Sequence, residues 1–229
     1  MKRSLVDRLS NTWVDRVISR LYAHLDIAVM SAFNGPERLA LIKEIRKEEG
    51  HLLCRPSELF MVHAIAAGQT RVPGDYAEVG VYRGATAKLM CEAKGEKDIH
   101  LFDTFAGLPG SEAIDIRFRP SMFSAQQEAV SKRLVKYEKV HIYPGIFPGT
   151  AGAIRDKQFA FVHIDVDIYQ STRDCLEFFY ARMSPCGFII SHDYPSSAGV
   201  RKAFDEFFAD KSENVVNLPM SQCMVLKLA

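Results

Sequence analysis

The sequence is short of cysteine, of net charge and of long apolar runs, and each shortage closes off a class of protein. Its five cysteines (Cys54, Cys91, Cys175, Cys186 and Cys223) are odd in number, scattered, and nowhere spaced as C-x-x-C. That pattern suggests neither a disulfide framework nor a thiolate zinc site, and it fits a reducing cytoplasm. Lys and Arg number 29 against 28 Asp and Glu, so no global field draws the protein to nucleic acid or anionic lipid. No run of about eighteen apolar residues is present to span a bilayer. The N-terminal stretch is interrupted by Lys2, Arg3, Asp7, Arg8, Asp15 and Arg16, unlike the apolar core of a secretion signal. The expectation is a cytoplasmic protein without nucleic-acid or membrane partners. Also missing is the dinucleotide signature G-x-G-x-x-G, which counts against a nucleotide-dependent oxidoreductase.

What is present is enough for one substantial core: 229 residues, 48% of them hydrophobic and 25% charged, in the range of one domain with or without a helical extension. From Ser4 to about Ala32, apolar residues recur at helical spacing: Val6, Leu9, Trp13, Val17 and Leu21, with Val14, Ile18 and Leu25 on an adjoining stripe. The spacing predicts an amphipathic helix with a broad buried face. Acidic residues on its polar side disfavour a membrane-surface helix. The apolar face then packs on the rest of the chain or on a second subunit, and a homo-oligomer built through the N-terminal helices is the expected assembly. Two further helices are predicted, Pro36 to Glu49 and Pro56 to Ala67, so that residues 1–70 form an N-terminal helical cap and residues 71–229 the main domain.

After Pro73-Gly74 the pattern changes to short apolar runs separated by helical segments, the signature of βαβ units and a parallel sheet. Strands are predicted at Tyr76 to Val81, Ile99 to Asp103, Val140 to Pro144, Phe159 to Asp165 and Gly187 to His192. Helices fall between them at Ala85 to Ala93, Ala125 to Tyr137, Ala151 to Arg155 and Ser171 to Met183. A last helix, Ala198 to Phe208, precedes Val215 to Leu218, a turn at Pro219 to Ser221, and Gln222 to Leu228. Too few residues join those two final strands for a crossover, so they form an antiparallel hairpin.

In a doubly wound sheet the ligand lies beyond the carboxyl ends of the strands, so the closing residues carry the chemistry. The first strand closes as Glu78-Val-Gly-Val-Tyr-Arg-Gly84. Gly80 permits a tight turn and Gly84 lets a helix start close to the strand, leaving free amides near Tyr82. A preceding carboxylate without the middle glycine suits a ligand with an amino-acid moiety and no pyrophosphate; a plain turn with a surface acid is the alternative. Asp103 closes the second strand about twenty residues later, where a carboxylate commonly bonds ribose hydroxyls. Thr104 and Phe105 follow it, and Phe105 is placed to cover an adenine face. After the third strand, Gly145 offers exposed backbone, and Ile146 and Phe147 are either adenine wall or ordinary core.

The fourth strand ends in His163-Ile-Asp165-Val-Asp167-Ile-Tyr-Gln-Ser171-Thr. Alternation puts Asp165 and Asp167 on one side if the strand persists. Two such carboxylates are costly to bury unless they hold a cation, pair with a base or face a cleft. Ser171 reads as the cap of the next helix. The fifth strand ends in Ser-His192-Asp193-Tyr194, and Asp165, His192 and Asp193 together make a mostly hard-ligand set suited to Mg²⁺ or Mn²⁺.

Five stretches in order resemble the macrocin O-methyltransferase family. They are Gly74-Asp-Tyr-Ala-Glu-Val-Gly-Val-Tyr-Arg-Gly84, Asp103-Thr-Phe-Ala-Gly-Leu-Pro109, Gly145-Ile-Phe-Pro148, Ile164-Asp-Val-Asp-Ile-Tyr-Gln-Ser-Thr172, and Asp193-Tyr194 followed by Gly199-Val-Arg-Lys-Ala-Phe204. The resemblance implies a class I S-adenosylmethionine-dependent fold: a Rossmann-like seven-stranded sheet, mostly parallel, with the C-terminal hairpin reversed. It implies that residues 71–229 bind S-adenosylmethionine and transfer its methyl group to a hydroxyl of a sugar-containing small molecule. Glu78, Gly80, Tyr82, Gly84, Asp103, Thr104, Phe105, Gly145 and Asp165 are the candidate cofactor residues. By position Asp165 and Asp193 correspond to metal ligands and Asp167 to the general base. The family commonly has two adjacent aspartates before the tyrosine, and here the first is His192. That change weakens Mg²⁺ binding, favours a softer metal, or makes His192 the proton acceptor. A catechol-like phenol fits the metal chemistry as well as a sugar does, and a catalytically silent cofactor-binding scaffold is the competing class. The acceptor is expected between the N-terminal helices, especially His51 to Met61, and the loop from Gly110 to Phe123. Arg117 and Arg119 of that loop either attract an acidic acceptor or are simply solvated charge.

Overall fold

The computed structural model describes residues 13–49, 54–110 and 112–228. The chain divides into two compact units with the boundary between Met61 and Val62, some nine residues before the break the composition suggests.

In the first unit, α1 spans Trp13–Phe33, α2 spans Pro36–Glu49, and α3 begins at Pro56 and runs on to Gly68. Residues 1–12 of the predicted first helix and His51 to Leu53 of the predicted acceptor region lie outside the described residues. Leu39, Ile42, Ile45 and Leu59 are buried. Ser57 Oγ donates to Asp26 Oδ2 at 2.9 Å, and the Arg55 guanidinium lies over the Tyr22 ring. The side chains of Trp13, Val14, Val17 and Ile18 lie outside those described; within the described part of α1, Leu21, Tyr22, Leu25, Val29 and Phe33 are all exposed, from 52% for Tyr22 to 82% for Phe33. Most of them recur every four residues and form one apolar stripe.

The second unit is a three-layer α/β structure. Its strands are β1 (Asp75–Val79), β2 (Ile99–Asp103), β3 (Val140–Pro144), β4 (Phe159–Ile164), β5 (Met183–Ser191), β6 (Val216–Asn217) and β7 (Cys223–Leu226). They form one sheet in the order β3-β2-β1-β4-β5-β7-β6. The first five are parallel, and β7 runs antiparallel to both β5 and β6, the hairpin the short connection requires.

Helices α4 (Ala85–Ala93), α5 (Gln127–Leu134), α6 (Tyr169–Tyr180) and α7 (Ala198–Phe208) cover the two faces. Val62 and Ala66 of α3, Met90 of α4 and Leu134 of α5 pack with Tyr76, Leu101 and Phe161 on one side. On the other, Leu176 and Phe179 of α6 and Phe204 of α7 pack with Val79, Phe102 and Ile164. The central strands β1, β2 and β4 are almost wholly buried and read as continuous apolar runs, whereas the edge strand β3 is half-buried along its length.

Three local expectations need correction. The helix predicted to reach Met183 stops at Tyr180, and β5 begins at Met183 because that residue pairs with Phe159; pairing lapses and resumes at Phe188 opposite Phe161. Cys186, at φ 65°, carries the irregularity. Ser171 does not cap α6: it is the third residue of a helix that starts at Tyr169. And β4 ends at Ile164 rather than Asp165, so alternation along a continuing strand is not what brings Asp165 and Asp167 together.

Candidate active site

The strand order reverses between β1 and β4, and at that switch point the chain ends of the two strands lie side by side. Asp165 N–H donates to Val79 O at 2.9 Å. Gly80 has φ +91°, and a Cβ built there would overlap the carbonyl of Asp165. Glycine is therefore required at this position by the neighbouring strand as well as by the turn.

On the β1–β2 side, Asp103 is fixed by backbone donors: Tyr82 N–H to Oδ2 at 2.6 Å and Phe105 N–H to Oδ1 at 2.7 Å. Burial raises its pKa, and the amides of Phe105, Tyr82 and Val81 partly counter this. The carboxylate keeps lone-pair capacity for a ligand hydroxyl. Thr104, a candidate cofactor residue, spends its hydroxyl proton on Gly107 O at 2.6 Å and closes the turn after β2. Phe105 is half-buried and packs at the edge of the core. Gly145 N–H donates to Asp103 O. The choice left open at the next two residues is decided: Phe147 is core, stacked on Phe179 with centroids 5.2 Å apart, whereas Ile146 is 61% exposed.

Glu78 is not a surface acid. Its carboxyl group is fully buried and Oε1 lies 2.8 Å from His163 Nδ1, also fully buried. Parallel register puts these two residues side by side on β1 and β4. Burial raises the Glu78 pKa to about 8 and depresses that of His163 to about 3. Glu78 thus enters the site as half of a buried pair, a role its place in the glycine turn did not reveal.

On the β4–β5 side, one carboxylate oxygen each from Asp165, Asp167 and Asp193 lies within 4.8 Å of the others. Asp167 and Asp193 both adopt left-handed backbone, φ 64° and 62°, and this turn after each strand, rather than strand alternation, aims them at Asp165. Asp165 has a raised pKa, from burial first and then from Asp193 and Glu78, opposed by His192 and His163. Asp167 is raised further by burial, by the charges of Asp165 and Asp193, and by a hydrogen bond with Asp193. Ser196 Oγ donates to Asp193 Oδ1 at 2.5 Å.

His192, expected as a metal ligand or base, is buried beside this cluster. Its Nδ1 lies 3.8 Å from Asp165 Oδ2. Its Nε2 lies 2.6 Å from Gln222 Nε2, and an amide N–H donating there leaves the ring proton on Nδ1, facing Asp165. Among the described residues the all-carboxylate group is Asp165, Asp167 and Asp193, and His192 stands beside Asp165 at its edge. Gln222 was missed because nothing local marks a glutamine just before the last strand.

Of the two loop arginines, Arg117 donates to Ser196 O at 3.0 Å and its charge acts on Asp167. Arg119 is exposed. Among the described residues no helix is long and apolar enough to cross a membrane.

A seven-stranded sheet with a reversed last strand, a switch point between β1 and β4 and acids along the carboxyl edge is the fold of the class I methyltransferases. Residues 60–225 match the family of macrocin-O-methyltransferase (TylF), and the chain belongs to that family. It is 32% identical over 144 residues to a tetracenomycin-C rhamnosyl 4'-O-methyltransferase of Streptomyces olivaceus, covering 56% of this chain and 55% of that one. It is 29% identical over 155 residues to demethyldecarbamoylnovobiocin O-methyltransferase of Streptomyces niveus, covering 60% of this chain and 59% of that protein. The matched part of this chain thus spans rather more than half the length of these relatives. Among solved structures it resembles the O-methyltransferase NovP with a TM-score of 0.70 at 23% identity, over 92% of this chain and 100% of that one.

Proposed function

We propose that this protein is an S-adenosylmethionine-dependent O-methyltransferase acting on a hydroxyl of a sugar-bearing small molecule, with a divalent cation at the active site. The observation that carries this reading is the convergence of Asp165, Asp167 and Asp193 next to the amide-held Asp103 at one switch point. Family membership and relatives whose names specify O-methylation, one of them of a rhamnosyl compound, support it.

Asp103 binds the ribose hydroxyls with the lone-pair capacity that its amide donors leave open. Phe105 and the exposed Ile146 flank the adenine, and the turn from Gly80 through Tyr82 to Gly84 receives the amino-acid end. The three carboxylates fit a hard divalent cation: all donors are oxygen, and burial and neighbouring acids raise the pKa values of Asp165 and Asp167, a penalty that a bound cation would relieve. Asp165 and Asp193 would hold it, with Asp167 contacting either the cation or the acceptor. When bound, Mg²⁺ or Mn²⁺ would supply Lewis-acid polarisation of the acceptor hydroxyl. Asp167 removes the hydroxyl proton, a contribution of roughly 10² to 10⁴-fold in rate. His192 stands behind Asp165, its Nδ1 3.8 Å from Oδ2, and Gln222 orients its ring, the place of a supporting group behind a metal-site carboxylate.

The apolar stripe of α1, from Leu21 to Phe33, supports a homo-oligomer formed through the N-terminal helices. The odd number and scattered spacing of the cysteines, nowhere C-x-x-C, support a cytoplasmic location.

The test is calorimetric titration of S-adenosylmethionine and its demethylated product, with and without Mn²⁺ or Mg²⁺, followed by turnover on sugar and catechol acceptors. Cofactor binding plus a metal heat that vanishes in Asp165→Ala supports the reading. Cofactor binding without any metal heat removes the cation from it, and absence of cofactor binding overturns it.

A further inference from the structure

Asp115 belongs to none of the groups just described, yet it is an acid at 3% exposure in the loop after β2. Its two oxygens accept from Tyr169 N–H at 3.1 and 3.3 Å, and Oδ2 also accepts from Glu112 N–H at 3.1 Å. Tyr169 is the first residue of α6, whose own N-cap position is occupied by Ile168 and provides no side-chain cap. A carboxylate from 54 residues upstream therefore satisfies the electropositive end of this helix. The room for it is a missing side chain: a Cβ built on Gly199, in the first turn of α7, would fall far inside contact distance of Asp115 Oδ1 and 3.0 Å from Tyr169 N.

Further tethers run to the same place. Arg117 Nη1 donates to Ser196 O at 3.0 Å, and Ser197 Oγ donates to Asp167 O at 3.2 Å. Apart from the one to the Glu112 amide, these contacts fall on residues 167–169 and 196–199, the segments that carry or follow Asp167 and Asp193. Those two aspartates hold left-handed backbone, a conformation less favourable than the right-handed one for any residue but glycine and one that packing and hydrogen bonds around it must support.

We propose that Asp115 is a positioning residue. By seating its carboxylate between the first amide of α6 and Gly199 of α7, it holds the Asp167 and Asp193 segments where their carboxylates meet Asp165. The assignment rests on the reading of those carboxylates as the metal and base site.

The test uses the full chain with Asp115→Ala, Asp115→Asn, Gly199→Ala and the Asp115→Ala/Gly199→Ala double variant. Three quantities are measured: Mn²⁺ binding by electron paramagnetic resonance, binding of S-adenosylhomocysteine by calorimetry, and amide hydrogen exchange of residues 165–170 and 193–199. Asp115→Ala should weaken Mn²⁺ binding about 10-fold or more, the usual cost of losing a supporting residue. Exchange should quicken in those two segments, while S-adenosylhomocysteine affinity stays within about 3-fold. Asp115→Asn keeps one acceptor and should lie between wild type and Asp115→Ala. Gly199→Ala should behave like Asp115→Ala, with no further loss in the double variant, although alanine is the better helix former and would otherwise stabilise α7. Unchanged exchange in Asp115→Ala, or additive effects of the two substitutions, overturns the proposal. If Asp115→Ala does not fold, Asp115→Asn and Gly199→Ala decide the question by the same measures. Should wild type bind no Mn²⁺ while exchange responds as described, the metal reading fails and the positioning role stands.

Discussion

Replacing Glu78 by Gln should remove the alkaline fall in this protein's stability. Glu78 and His163 are both inaccessible to solvent and 2.8 Å apart. With Glu78 raised from 4.5 to about 8 and His163 lowered from 6.5 to about 3, the folded pair holds one proton across that whole range. In the unfolded chain the pair holds one proton only between 4.5 and 6.5. Above pH 6.5 the folded state binds more protons than the unfolded one, so stability falls as pH rises; below pH 4.5 the unfolded state binds more, and stability falls as pH falls. Each limb spans about 1.5 pH units, which at roughly 1.36 kcal/mol per unit amounts to about 2 kcal/mol. Glutamine keeps a donor for His163 Nδ1 but cannot ionise. The variant's stability relative to wild type should therefore rise by about 2 kcal/mol between pH 6.5 and 8, while its acid limb starts near 6.5 instead of 4.5. Urea denaturation of both proteins across pH 4 to 9 gives this difference, in which all other titrating groups cancel. Parallel profiles between pH 6.5 and 8 would refute the shared buried proton.

Other consequences follow from the same geometry. Asp167→Asn should lower kcat by about 10² to 10⁴-fold on any accepted hydroxyl and leave S-adenosylhomocysteine affinity nearly unchanged; full turnover would remove Asp167 as base. Because burial and mutual repulsion keep Asp165 and Asp167 protonated to higher pH than ordinary aspartates, Mn²⁺ must displace protons. Its affinity should climb with pH, and calorimetry in buffers of different ionisation enthalpy should detect proton release; pH-independent binding without release would contradict this. Phe147→Ala should cost about 3–5 kcal/mol of stability, because the ring is stacked in the core. Ile146→Ala, on an exposed side chain, should cost under about 0.5 kcal/mol and weaken cofactor binding several-fold, as fluorescence or calorimetric titration will show.

The α/β class, the parallel strands and the reversed hairpin were legible from the residue pattern, because short apolar runs alternate with helical segments and the last connection is too short for a crossover. The sequence also placed Asp103, Asp165, Asp167 and Asp193 at the carboxyl edge, since strand ends are where such folds put polar residues. Tertiary structure alone decided what those residues touch. Glu78 meets His163 through the register of two strands 85 residues apart in sequence, and Gln222 reaches His192 only because β7 inserts antiparallel beside β5. Phe147 rather than Ile146 joins the core, and α6 takes its cap from Asp115 instead of Ser171. Local periodicity records which way a side chain points within its own element, whereas pairing, capping and pKa depend on which distant element is packed against it, and that is fixed only when the sheet order closes.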